Sequence, residues 1–150
     1  MPLLPISHRQ QQRPADCLAA CAAMVLDHLH VSVDYESLIK TLRISPEGAS
    51  FRNLRHLESL GLSVLIERGE IETLRLHLER GLPPIAFVAT GQLSYWDEAT
   101  GHAVVVAGLE GETIYLNDPA FANAPKAVPV DEFELAWIDL DQFYALIELR

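Results

Sequence analysis

Apolar residues crowd this chain in two different rhythms. From Cys17 to about Leu29 almost every position is apolar or small, running Leu18-Ala19-Ala20-Cys21-Ala22-Ala23-Met24-Val25-Leu26 through its centre. Alanine favours helix, and a helix apolar on every side belongs at the centre of a domain. Asp16 stands at the N-cap position of that helix. A second helix is predicted over Asp34 to Leu42. Ser50 opens a third, with Phe51, Leu54, Leu57 and Leu60 at helical spacing and Gly61 as its stop. Leu62 to Glu67 reads as a strand, and Ile71 to Arg80 as a fourth helix ended by Gly81.

The C-terminal half changes rhythm. Ile85 to Thr90, Ala103 to Leu109, Thr113 to Asn117 and Phe143 to Leu149 are rich in β-branched and aromatic residues and read as strands. Glu110-Gly111 reads as the tight turn of a hairpin between two of them. Asp131 to Trp137 is a further short helix. Residues 1–15, with their prolines and the run Gln10-Gln11-Gln12, read as an extended arm. Helices followed by antiparallel strands make an α+β fold. Without repeats or a linker, residues 1–150 are expected to form one domain.

Composition narrows the function classes. The chain has 150 residues and a formal net charge of −10. That charge argues against nucleic acid, whose binding rests on Lys and Arg facing phosphates, and against anionic membrane surfaces. No apolar run of about 18 residues is present, so no membrane insertion is expected. The segment Met1 to Ile6 is too short and proline-broken for a signal peptide, so a cytoplasmic protein, or one whose leader has been removed, is expected. Two cysteines are not a disulfide framework, and Cys17 and Cys21 are expected to be reduced thiols.

Three stretches carry the chemistry. Cys17 opens the apolar helix, where the unpaired N–H groups of a helix N-terminus favour thiolate over thiol. Cys21, one turn deeper, reads as a small buried hydrophobe. His102 opens a strand after Gly101 and leads into Ala103-Val104-Val105-Val106. Asp118 ends the next strand, between Asn117 and Pro119. A two-residue hairpin would set His102 and Asp118 roughly opposite each other across the ladder. There the carboxylate would hold the imidazole in its working tautomer, while the imidazole serves Cys17 as base. Asp118 also suits an Asx turn before Pro119. A side-chain amide from Gln11 or Gln12 could join the Cys17 backbone N–H around an oxyanion.

Gln11-x4-Asp16-Cys17, Gly101-His102-Ala103-Val104-Val105-Val106 and Tyr115-Leu116-Asn117-Asp118-Pro119-Ala120-Phe121 together resemble the bacteriocin-processing cysteine peptidase family. That family includes the double-glycine leader peptidase domains of peptide-exporting ABC transporters and stand-alone relatives. The likeness covers nearly the whole chain, with Tyr95-Trp96 before the histidine motif and Val130-Asp131-Glu132-Phe133 through Trp137 after the aspartate motif. It implies a papain-like fold with Cys17 as nucleophile, His102 as general base and then acid, and Asp118 as orienter. It also implies Gln11, six residues before the cysteine, as oxyanion donor in preference to Gln12. A peptide or protein substrate cut after small residues is expected. No cofactor or metal is implied, and a transporter, if involved, would be a separate partner. The family usually has Gly directly after the cysteine. Leu18 stands there in this chain, where a side chain would crowd an approaching substrate backbone.

Other readings compete with this one. Cys17, Cys21, His28 and His30 supply zinc-type ligands, but their spacing is not a zinc pattern. A thiol amidase, deamidase or acyltransferase would share the first chemical step. A catalytically silent peptide-binding module would explain Leu18, although it would have no need of an intact Cys17, His102 and Asp118.

Overall fold

The computed structural model describes residues 3–150. Its elements run α1 (Cys17–His28), α2 (Tyr35–Thr41), a 3₁₀ helix (Phe51–Leu60), β1 (Leu62–Arg68), α3 (Ile71–Glu79), β2 (Ile85–Ala89), β3 (Gly101–Glu110), β4 (Thr113–Asn117), β5 (Lys126–Pro129), α4 (Val130–Ile138) and β6 (Phe143–Leu149). A short 3₁₀ turn, Thr90–Gln92, follows β2. The strands form one sheet in the order β1-β6-β2-β3-β4-β5, and every pairing in it is antiparallel.

Helices cover both faces of the sheet. The all-apolar α1, with α2 and the long 3₁₀ helix, packs on the face that carries Val64, Ile85, Ala103, Val105, Ala145 and Ile147. Leu74 and Leu78 of α3 and Phe133 and Trp137 of α4 pack on the opposite face, against Val88, Val104, Val106 and Tyr144. A strand buried on both sides has no polar face, which is why Ala103 to Leu109 is an unbroken apolar run. The expected α+β class holds. The helices are divided between the two faces, rather than gathered on one.

Three local expectations are corrected. The segment opened by Ser50 is 3₁₀ rather than α-helical. Its apolar residues recur strictly every three positions, which keeps one face at three residues per turn but drifts on an α-helix. Ser50 Oγ accepts from the Arg52 N–H, and Gly61 ends the helix at φ 85°. Second, β5 was not expected, because Pro125 and Pro129 punctuate it like a loop. It is an edge strand, where proline is tolerated. Third, the hairpin loop is Gly111-Glu112, one residue later than expected. Glu110 pairs with Thr113, and Gly111 takes φ 61° at the first loop position.

The β3–β4 ladder also departs from regular pairing. Gly108 pairs with Tyr115 but Val106 with Leu116, so Ala107 is the extra residue of a bulge. The N-terminal arm docks on it. The Leu4 N–H donates to the Ala107 carbonyl at 2.8 Å. A side chain at residue 108 would meet Leu3, whose Cδ2 lies 2.7 Å from where a Cβ would be, so glycine is required by the close approach.

Candidate functional site

Site assembly begins with the arm. After Leu4 it runs beside the loop that follows β4, where His8 Nε2 bonds the Phe121 carbonyl at 2.7 Å and the Gln11 N–H donates to the Pro119 carbonyl at 2.8 Å. These ties hold Gln11 near the Asp118 loop before the chain turns into α1.

Cys17 is the first residue of α1 and is half-buried. Asp16 does not cap that helix. Its carboxylate, 2% exposed, accepts instead from Arg13 Nε at 3.0 Å and the Tyr35 hydroxyl at 3.1 Å. The buried carboxylate takes these two stronger donors, and α1 begins with no side-chain cap on its first-turn N–H groups. Cys21 lies wholly buried and donates its thiol to the Ala103 carbonyl at 3.4 Å.

His102 is the second residue of β3 and is 4% exposed. Its Nε2 bonds Asp118 Oδ1 at 2.7 Å, and the Cys17 side chain is near enough to the ring to raise its pKa. The two polar residues are not directly opposite in the ladder. Val105 pairs with Asn117, so Asp118 continues the register opposite Val104, diagonal to His102. The bulge decides the face. With the unshifted register of Glu110 and Thr113, Asp118 would fall opposite Val105 and point away from His102. The extra residue at Ala107 restores the parity and puts both side chains on one face.

Asp118 is fully buried, and all its lone pairs are used. Oδ1 accepts from His102 and from the Ala120 N–H at 3.0 Å, while Oδ2 accepts from the Tyr95 hydroxyl and Trp96 Nε1, each at 2.8 Å. Sequence reasoning gave Tyr95 and Trp96 no role here. Their signal was adjacency to the histidine strand, and only the folded loop reveals where their donors point. The Trp96 ring also packs edge-on to the His102 ring, with centroids 4.8 Å apart. The loop is held by Thr90, whose Oγ1 donates to the Glu98 carbonyl and accepts from the Thr100 N–H, and by Glu132, which accepts from Ser94.

These contacts set the charges. Burial alone would lower the pKa of His102. The hydrogen bond to Asp118 and then that to Cys17 outweigh it, and the imidazole is pushed up to about 9. Burial alone would raise the Asp118 carboxyl, but the hydrogen bond and charge of His102, helped by Trp96 and Ala120, hold it below the usual carboxylate range. Burial pushes the Cys21 thiol well up, with the charges of Cys17 and Asp118 adding to the effect. Burial, followed by the Asp118 charge, likewise raises the Tyr95 hydroxyl, which stays a donor.

A cleft of about 470 Å³ opens over this group, with Gln11, Cys17, Leu18, Phe87, Trp96 and His102 in its walls. Gln11 and Gln12 part company here. Gln11 lines the cleft, with its Nε2 donating to the Arg13 and Pro14 carbonyls at 3.1 and 2.9 Å and its buried Oε1 unpartnered. Gln12 is exposed, does not line the cleft, and meets Tyr35 through its backbone. Leu18 lines the cleft but is only 3% exposed and packs into the core beneath it, so little of its side chain faces the space above Cys17. The thiol and imidazole groups weighed as zinc ligands are dispersed. Cys21 faces β3 and His28 bonds the Gly81 carbonyl at 2.8 Å. Among the described residues no three His, Cys, Asp or Glu side chains form a metal-binding group, and no helix is long and apolar enough to cross a membrane.

The sequence model described as the Peptidase C39 family matches residues 6–141. The lactococcin-G-processing and transport ATP-binding protein LagD of Lactococcus lactis is 28% identical over 128 residues, 85% of this chain. This chain spans 17% of the length of that relative. Among solved structures, a double glycine motif protease from an AMS/PCAT transporter, in complex with its leader peptide, superposes with a TM-score of 0.77 at 23% identity, covering 99% of this chain and 94% of that one. The peptidase domain of Streptococcus ComA, a bi-functional ABC transporter of a quorum-sensing pathway, superposes with a TM-score of 0.79 at 16% identity, covering 97% and 99%.

Proposed function

The chain belongs to the Peptidase C39 family, a family of cysteine peptidases, and we propose that it hydrolyses peptide bonds with Cys17 as nucleophile, His102 as base and acid, and Asp118 as orienter. The observation that carries this reading is the buried 2.7 Å bond between His102 Nε2 and Asp118 Oδ1, with the Cys17 side chain near enough to help raise the imidazole pKa. Because Asp118 occupies Nε2, the remaining ring nitrogen, Nδ1, exchanges the proton with sulfur.

The Cys17 sulfur, its proton held by His102, attacks the peptide carbonyl carbon. The resulting oxyanion is met by the Cys17 backbone N–H, one of the first-turn donors that have no partner within the helix, and by the Gln11 amide. One Gln11 N–H must then turn from its loop carbonyl toward the oxyanion. Collapse breaks the C–N bond, His102 gives its proton to the leaving amine, and a thioester remains on Cys17. His102 then takes a proton from water, whose oxygen attacks the thioester and releases the acid. Asp118 stays ionised throughout, with four donors around it.

The substrate is a peptide segment cut after small residues, in keeping with the leader peptide bound by the double glycine motif protease of similar fold. A peptide transporter is the proposed partner, since the curated relative is a processing and transport protein. Burial of Leu18 supports an active site over a silent binding module. The test is brief labelling with limiting iodoacetamide across pH 5 to 9, read by intact mass and peptide mapping, alongside turnover of peptides ending in small residues. Labelling of Cys17 below pH 7 that depends on His102, together with turnover lost in Cys17→Ala, is expected. Slow labelling indifferent to His102→Ala overturns the assignment.

A further inference from the structure

Positive charge is gathered on one side of this acidic chain. Arg9, Arg13, Arg75 and Arg80 form ion pairs with carboxylates. The other seven of the eleven Lys and Arg form none among the described residues, although 21 Asp and Glu are present. Four of those seven, Lys40, Arg43, Arg52 and Arg55, line a single open basin of about 740 Å³ between the end of α2 and the 3₁₀ helix. Glu58 is the one carboxylate among its lining residues. A fifth cation stands at its flank, since the Arg52 and Arg68 guanidinium groups each lie 5.4 Å from the centroid of the Phe143 ring. Like charges gathered around one basin leave a local excess of positive charge that an anionic partner would offset.

A groove links the basin to the cleft. Arg52 also lines a groove with Phe51, Phe87 and Phe143, rimmed by Asp139 and Asp141. Phe87 and Ala49 are shared between that groove and the cleft of Cys17 and His102. Charge reverses along this track, since Glu47 and Glu98 line the cleft and no Lys or Arg does. A chain laid from the cleft across the groove would therefore bring its far segment over the cations.

We propose that the basin is an exosite for the peptide substrate, holding the carboxylates of an acidic segment several residues from the bond cleaved. The proposal rests on the peptidase reading above and names the substrate class it selects. Its cations act as point charges in water, so the gain is shared among several weak, salt-sensitive pairs and adds to the rate of encounter.

The test uses Cys17→Ala protein and three fluorescent peptides of equal length, with the same cleavable end and a distal segment that is acidic, neutral or basic. Anisotropy is read at low and high salt, and wild-type turnover of the same peptides is measured in parallel. The acidic peptide is expected to bind about tenfold more tightly than the neutral one at low salt, with the advantage fading as salt screens it. Arg43→Gln/Arg55→Gln should raise KM for the acidic peptide toward that of the neutral one, leaving kcat unchanged. Should that double variant fold poorly, the peptide and salt series on intact basins decides alone. Equal binding of acidic and neutral peptides overturns the exosite, whatever the turnover. Acidic preference without cleavage of any peptide overturns the peptidase reading and leaves the basin an acidic-peptide site. Capture by phosphatidylglycerol vesicles with no acidic-peptide preference assigns the basin to a membrane and also overturns the proposal.

Discussion

The first and second turns of α1 each carry a thiol, and their surroundings divide the chemistry between them. Cys21 is sealed against the Ala103 carbonyl, with burial and the neighbouring negative charges pushing its thiol up. It is held as a neutral hydrophobe. Cys17, four residues earlier, stands at an uncapped helix end beside an imidazole that Asp118 keeps protonated to about pH 9. On the proposed reading, the same residue type on the same helix serves as packing in one turn and as nucleophile in the other. Reactivity is decided by a counter-charge within reach and an open cleft, and both of those are supplied by other parts of the chain.

The sharpest way to break that comparison is to remove each thiol in turn. Cys17→Ala should lower kcat/KM by about 10⁵-fold or more, measured on a peptide ending in small residues. Cys21→Ala should leave turnover within about threefold and cost on the order of 1 kcal/mol in urea unfolding, the loss of one small buried group. Equal loss of activity in both would end the division of roles. Next in size is Asp118→Asn. Without a carboxylate to hold the ring, turnover should fall about 10³- to 10⁴-fold, and a near-normal rate would reduce Asp118 to a turn residue.

Tyr95→Phe and Trp96→Phe sharpen the comparison further, because each removes one donor from Asp118 Oδ2 and leaves His102 in place. Each should cost about 1.5–3 kcal/mol in stability. Each should also move the acid limb of the kcat/KM profile to higher pH, since the carboxylate loses part of what keeps it ionised. An unmoved limb would leave these residues as packing only.

The smallest effect is the pH dependence of stability. The His102 pKa is raised from 6.5 to about 9 on folding, so its contribution is fully present below about pH 6.5 and is lost as pH rises through 9. Asp118 has the opposite sign. Its carboxyl is lowered from 3.8, so its contribution is present above that value and lost on acidification. Thermal melts of wild type and His102→Ala should therefore differ more at pH 6 than at pH 10. A gap that stays constant between those two pH values would show that His102 is neutral in the fold.

Much of this was legible in one dimension. The apolar block after Asp16 specifies a buried helix because alanine-rich segments form helix cheaply and no polar face needs water. β-Branched runs bounded by turn residues locate β2, β3, β4 and β6 for equally local reasons, and a thiol at a helix start with an imidazole at a strand start is visible as spacing. Other features depended on distant groups. Asp16 occupies a cap position, but Tyr35 and Arg13 claim its carboxylate. The three-residue rhythm from Phe51 to Leu60 becomes 3₁₀ only against the core it covers. β5 looks like a loop until β4 pairs with it. Above all, the partnership of His102 with Asp118 rests on one unpaired residue, Ala107, whose carbonyl is taken by the N-terminal arm at Leu4. Side-chain alternation along a strand is local, so the sequence by itself determined which residues share a face within β3 and within β4. Which face of one strand meets which face of the next depends on register, and register was decided only when the bulge and the arm came together in the folded molecule.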